Sequence, residues 1–190
     1  LAPDVIVNTI NGDSNTHFFR ALHGASLGGV PVVSFSLAEE GLKAIGPAAF
    51  HPNHYAVWSY FQSIPDEANQ RFVAAFRKRH GADRVTSDPI EAAYVGVQLW
   101  AQAVRDAGTD DPEQVNRAML QQSTAAPSGV AAVDRGTRHV WKQMRIGKAR
   151  ADGQFELVWH SGNALRPAPF PDYHSQSGLQ GLPQPFGARP

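Results

Sequence analysis

The sequence predicts an α/β protein organised on a parallel sheet, and three stretches carry that prediction. Asp4-Val-Ile-Val-Asn-Thr-Ile10 is nearly continuous in β-branched residues, the composition of a strand buried on both faces. An amphipathic run follows, with Phe18, Phe19, Leu22 and Ala25 at helical spacing, and Gly28-Gly29 is expected to stop it. Val30-Pro-Val-Val-Ser-Phe35 then reads as a second strand. Both strands run into polar residues, Asn11-Gly-Asp-Ser-Asn15 after the first and Ser36-Leu-Ala-Glu39 after the second. Ligands of open α/β sheets lie outside the carboxyl ends of the strands, so binding chemistry is expected at Thr9 to Ser14 and at Ser34 to Glu39.

Downstream, Ser36 and Glu39 spell a capping box that predicts a short helix from 37 to about 44. Residues 46–53 read as a loop. Tyr55 to Phe61 reads as a third strand, aromatic and β-branched. A helix is expected over 65–80, with Phe72, Val73 and Phe76 inward, Arg77-Lys-Arg-His80 in its last turn and Gly81 after it. The next helix spans 88–107. Asp88 is its expected cap, Pro89 fits the first helical position, and Glu91 sits where a capping acid belongs. Its apolar stripe is expected to be Ile90, Ala93, Tyr94, Val97, Ala101 and Val104. Asp111-Pro112-Glu113 opens another helix, with Val115, Ala118 and Met119 inward. Residues 129–134 look like a strand. Gln143 to Arg150 and Gln154 to Trp159 flank Ala151-Asp-Gly153, a hairpin signal. The proline-rich stretch 166–190 reads as extended and partly disordered.

Composition removes several classes. Seventeen basic and seventeen acidic residues leave no formal net charge, whereas phosphate binding requires a basic footprint, so nucleic acid is not an expected partner. No apolar run approaches the ~18 residues of a membrane span. The chain has no cysteine, which excludes disulfides and thiolate metal sites and leaves the compartment open. It begins Leu-Ala-Pro, and a fragment or mature piece is expected.

No catalytic set emerges. Of the eight histidines, His51 and His54 are expected in a loop with no carboxylate to complete a zinc set, so neither a metal nor another cofactor is expected. Gly12-Asp-Ser14 lacks the spacing of a nucleophile elbow. Gly24, Gly28 and Gly29 do not follow a strand, as a phosphate-binding fingerprint requires. Ser36, Glu39 and Glu91 each have two readings, cap or ligand contact, and Asp13 or Ser14 has the same choice. Tyr55, Trp58, Tyr60, Tyr94 and Trp100 are expected in the core.

Asp4 to Ser14, Pro31 to Glu40 and Trp58-Ser-Tyr-Phe-Gln-Ser63 together resemble the urea-type substrate-binding proteins of ABC transporters. So do Gly81 to Thr86, Asp88 to Tyr94, Ala126-Pro-Ser-Gly129 and Arg145 to Phe155. The resemblance keeps its order over residues 4–170. It extends to the amide-sensing regulators of amidase operons, which share the type I periplasmic-binding-protein fold.

That resemblance implies two α/β lobes closing on a ligand, with this chain supplying the later half and lacking the upstream one. Residues 1–58 would belong to lobe two, 59–127 would give helices to lobe one, and 128–165 would return to lobe two. The implied contacts are Thr9, Ile10 and Asn11 at one strand end, Asp13 beside them, Ser36, Leu37 and Glu39 at the next, and Glu91 from a helix start. The implied ligand is urea or a short aliphatic amide, whose N–H groups carboxylate and carbonyl oxygens accept. The implied partners are an ABC permease and the upstream half, in the same protein or another chain, and the implied place is extracytoplasmic. The alternative is a cytoplasmic amide-sensing regulator or a sensor domain of the same fold. An enzyme is not expected.

Overall fold

The computed structural model describes residues 3–46 and 51–169. Residues 47–50 of the expected loop and 170–190 of the proline-rich stretch lie outside the described residues.

The chain alternates as the β-branched and amphipathic runs dictate. Strand β1 (Ile6–Asn8) leads to helix α1 (Ser14–Gly24), β2 (Val32–Ser34), α2 (Glu39–Ile45) and β3 (His54–Trp58). Helices α3 (Glu67–His80), α4 (Asp88–Ala107) and α5 (Pro112–Met119) follow, then β4 (Ser123–Ala126), β5 (Gly129–Val133), β6 (Val140–Trp141), β7 (Arg145–Ala149) and β8 (Phe155–His160).

Five strands form one sheet in the order β1-β2-β3-β7-β8. The first three are parallel, with Asn8 opposite Ser34 and Ser34 opposite Ala56. The hairpin β7–β8 joins β3 antiparallel. Phe19 and Leu22 of α1, Leu42 and Ile45 of α2, Val32, Ala56, Phe61 and Phe155 share one core with Tyr60 and Phe72. Each fully buried large side chain of this set contributes roughly 1.5–3 kcal/mol.

A second, three-stranded sheet, β4-β5-β6, is antiparallel throughout. Val95 and Leu99 of α4 pack there on Ala126 and Ala131. Residues 129–141, which lie in the segment 128–165 that the resemblance returns to lobe two, pair in this second sheet and not in the five-stranded one. The chain rejoins that sheet at Arg145.

Local chemistry explains the helix ends. Asp66 and Asp111 each turn a carboxylate onto a first-turn amide, Ala68 N at 2.8 Å and Gln114 N at 3.0 Å, which satisfies donors the helix itself cannot. Gly108 closes α4 in the left-handed conformation (φ 65°), which an L side chain resists.

Five expectations are corrected. α1 stops at Gly24, before Gly28-Gly29, because the Leu27 amide folds back onto the Leu22 carbonyl at 3.0 Å. β3 stops at Trp58 rather than Phe61. The backbone leaves the sheet where the Asp88 carboxylate captures the amides of Ser59 (3.0 Å) and Tyr60 (2.8 Å). His54 is not in a loop; it opens β3 and is buried. On α4 the buried side is Glu91, Val95, Leu99 and Ala103, whereas Tyr94 and Val97 of the expected stripe are 43% and 65% exposed. Trp100, expected in the core, is also exposed.

Gly147 sits where β7 crosses the aromatic core. A Cβ there would meet Phe61 Cε1 at 2.8 Å and Phe155 Cβ at 2.9 Å. Gly147→Ala is expected to lower stability by about 1–3 kcal/mol through overpacking, read as a lower urea midpoint at unchanged slope.

Candidate functional site

A cavity of about 490 Å³ opens at the carboxyl ends of β1 and β2. Three segments frame it: the β1–α1 loop, the β2–α2 loop, and the start of α4 with Trp58 at the end of β3.

The first segment is held by carboxamides. Asn8 is buried at the end of β1, and its Nδ2 donates to Asn15 Oδ1 (2.8 Å) and Ser34 Oγ (3.0 Å). Asn8 Oδ1 accepts from the Ile10 amide at 2.9 Å. The Ile10 carbonyl accepts from Asn15 Nδ2 and from the Ser36 hydroxyl. The two strand ends are thus tied before any ligand arrives.

The second segment departs from the capping box. Ala38, not Ser36, is at the N-cap of α2, and no side chain caps it. Ser36 is diverted to the Ile10 carbonyl. Glu39 points into the protein, fully buried, where Oε1 accepts from the Gln62 amide at 2.7 Å and Oε2 has no partner. Burial pushes its carboxyl up to about 8 from 4.5, because a charged form lacking solvent is disfavoured.

The third segment is α4's start. Asp88, expected as the cap, is the first helical residue, and Ser87 is the N-cap. Glu91 is not a capping acid. It is fully buried, accepting from Ser128 Oγ (2.7 Å) and the Ser128 amide (3.3 Å) on one oxygen and from Lys142 Nζ (2.5 Å) on the other. Arg145 reaches the carbonyls of Ser59 and Ser128 from the same region. Glu91 therefore ties α4 to the β4–β5 turn and to the segment after β6.

Of the residues singled out by sequence, the cavity brings together Asn11, Asp13, Ser36 and Leu37. Ile10 supports them through its carbonyl. Thr9 is exposed and outside the lining, while Glu39 and Glu91 are fully buried and also outside it. Asp13 occupies the N-cap of α1 but makes no side-chain cap bond. Sequence reasoning missed Asn15, Thr16, Glu40 and Ser87 in the lining, and it placed Trp58 in the core. Trp58 is half-buried and lines the cavity, its Nε1 donating to the Leu37 carbonyl at 2.8 Å. Asp13 and Glu40 bring two carboxylates to this lining, and among the described residues no lysine, arginine or histidine joins them. Among the described residues, no group of three or more histidines and carboxylates could hold a metal.

The chain matches the family described as "Periplasmic binding protein domain" over residues 1–176. It belongs to that periplasmic binding protein family. The fold is of the type I kind, α/β with a sheet that is parallel in part. Similar solved structures include a solute binding protein of an ABC transporter from R. palustris in complex with benzoate. It is 20% identical with a TM-score of 0.76, and the match covers 87% of this chain and 45% of that one. Another is the amino acid ABC transporter substrate-binding protein from Pseudomonas fluorescens Pf-5, 19% identical with a TM-score of 0.73, covering 87% and 46%. A protein named limonene hydroxylase from Geobacillus stearothermophilus is 32% identical over 116 residues, which are 61% of this chain and 21% of that protein. The chain thus spans less than half the length of the solved relatives it matches.

Two stability tests follow from the buried carboxylates. Glu39 binds a proton in the folded chain at pH values where the unfolded chain has lost it, so stability falls as pH rises from 4.5 towards 8. Burial lowers the buried His54 to about 4 from 6.5, with the opposite sign: stability rises with pH over that interval. Of the two, only Glu39 acts from pH 6.5 to 8, where a loss of about 2 kcal/mol is expected. Urea unfolding at both pH values should show this loss and should show it flattened in Glu39→Gln. Glu91→Ala leaves Lys142 and Ser128 unpaired at a buried site and is expected to cost about 3–5 kcal/mol, read by thermal unfolding.

Proposed function

We propose that this chain forms one wall of a closable cleft for a small, uncharged, N–H-rich solute such as urea or a short aliphatic amide. The observation that carries the reading is the lining itself. Asn11, Asp13, Ser36 and Glu40 offer oxygen acceptors beside the apolar faces of Leu37 and Trp58, and among the described residues no cationic side chain lines the cavity to hold a carboxylate. Such acceptors suit amide N–H donors, and a ligand that failed to fill them would leave polar groups unpaired. The solved relatives bound to benzoate and 3,4-dihydroxy benzoic acid carry anionic ligands; the charge of this lining argues for a different choice here.

In this reading the whole protein is the substrate-binding component of an ABC transporter, working outside the cytoplasm with a permease as partner. No helix among the described residues is long and apolar enough to cross a membrane. The missing side of the cleft comes from a second α/β lobe, in the same protein or in another chain. Support for that lobe comes from the span of less than half of each solved relative. It also comes from the outward apolar face of α4 at Tyr94, Val97 and Trp100, since an apolar helix face normally packs against another element.

A titration of ¹⁵N-labelled chain tests the ligand class. Acetamide and propionamide are expected to shift the Asn11 and Ser36 amides and the Trp58 indole N–H, with weak millimolar affinity because half the cleft is absent. Acetate and benzoate are expected to leave them in place. Shifts with the carboxylates and none with the amides would overturn the reading.

A further inference from the structure

Ser87 occupies the N-cap of α4 with extended backbone, φ −147° and ψ 171°. A serine there ordinarily turns its hydroxyl oxygen onto the amide of the second or third helical residue. The second residue of α4 is Pro89, which has no N–H, so Ile90 carries the one amide a cap would serve. No cap bond is made. The hydroxyl donates instead to Glu40 Oε1 at 2.7 Å. Glu40 lies in the first turn of α2, and Glu40 and Ser87 both line the cavity. Ser87 is 1% exposed, while Glu40 is exposed.

Among the described residues this is the one side-chain hydrogen bond between α2 and α4. Lys43 Nζ also reaches the Asp83 carbonyl at 2.6 Å, but neither residue belongs to the cavity lining. At the base, α4 is anchored separately, through Asp88 on Ser59 and Tyr60. The two walls are therefore fixed where the chain leaves β3 and fastened by Ser87 and Glu40 at the cavity.

We propose that Ser87 is a two-position clasp: it joins the α2 and α4 walls through Glu40 in this form and caps Ile90 when the walls part. The two positions use the hydroxyl differently, donating to Glu40 in one and accepting from the Ile90 amide in the other, where the parted walls leave its O–H to water. A serine cap shifts a helix-start equilibrium by roughly fivefold, so the cap offsets part of what is lost when the Glu40 bond opens, and the clasp holds the walls without locking them. The inference rests on the reading of this cavity as a closable site, but its test requires no ligand.

Amide hydrogen exchange at Ile90, followed by NMR on the ligand-free chain, tests it. Glu40→Ala frees the hydroxyl for the cap and is expected to slow Ile90 exchange about fivefold. Glu40→Gln keeps an acceptor and is expected to leave the rate near that of the unmodified chain. Adding Ser87→Ala to Glu40→Ala is expected to abolish the slowing. Because Glu40 is exposed, its replacement spares the core. Unchanged or faster Ile90 exchange in Glu40→Ala would overturn the clasp and leave the ligand reading standing. Failure of amides to shift the cavity resonances would overturn the ligand reading and leave the exchange result standing.

Discussion

One carboxylate oxygen holds the chain together where it changes direction. Asp88 Oδ1 accepts from the Ser59 amide, the Ser59 hydroxyl and the Tyr60 amide. A strand that leaves its sheet must dispose of the amides it no longer pairs, and a buried unpaired N–H costs about 1–3 kcal/mol. Asp88 takes two of them and is itself the first residue of α4. The end of β3 and the start of α4 are therefore a single structure, although 29 residues separate Ser59 from Asp88. Trp58, Ser87, Pro89 and Ile90 reach the cavity because of this junction.

Around that junction the buried polar groups are divided by their job. Tyr60 Oη meets Asn69 and Thr86, Gln62 meets Thr86, and Asn69 returns to the carbonyls of Gln62 and Ile64. These contacts pin α3 and the approach to α4. Glu91 with Lys142 and Arg145 with Ser59 and Ser128 pin the other side, where the chain passes from the second sheet back to the first. Buried charges of this kind contribute little net stability but penalise any arrangement that separates them. They specify where the two sheets meet more than how strongly.

The parts of this design legible in the sequence are those set by near neighbours. The β-branched runs of β1 and β2, the hairpin at Asp152-Gly153, and the helix start at Asp111-Pro112 depend on residues a few positions away, and the structure has them. The parts that were not legible depend on distant partners. Ser36 and Glu39 have the spacing of a capping box, yet the Ile10 carbonyl and the Gln62 amide, each reached through tertiary folding, outcompete the local helix amide. The stripe on α4 was misassigned because the helix has two apolar sides. Val95 and Leu99 face β4 and β5, whereas Tyr94 and Val97 of the expected stripe lie on the other, exposed side. Glu91, a charged residue in the centre of the buried side, could not be foreseen without Lys142 across from it.

Asn8 shows what signal was available and overlooked. A lone carboxamide inside a β-branched run stands out, because burying it without partners would cost several kcal/mol. Its parallel register with Ser34 explains why it is tolerated, since the neighbouring strand supplies the hydroxyl and the following loop supplies Asn15. The same bonds fix the loop that presents Asn11 and Asp13. A wall ordered in advance by buried carboxamides loses little further freedom when it meets a solute, and affinity for a small ligand depends heavily on that saving. The α2 and α4 side is built differently, with Glu40 exposed and Ser87 able to choose its partner. Motion at the cavity should therefore fall on that side, with the β1–α1 loop serving as the fixed reference against which it opens.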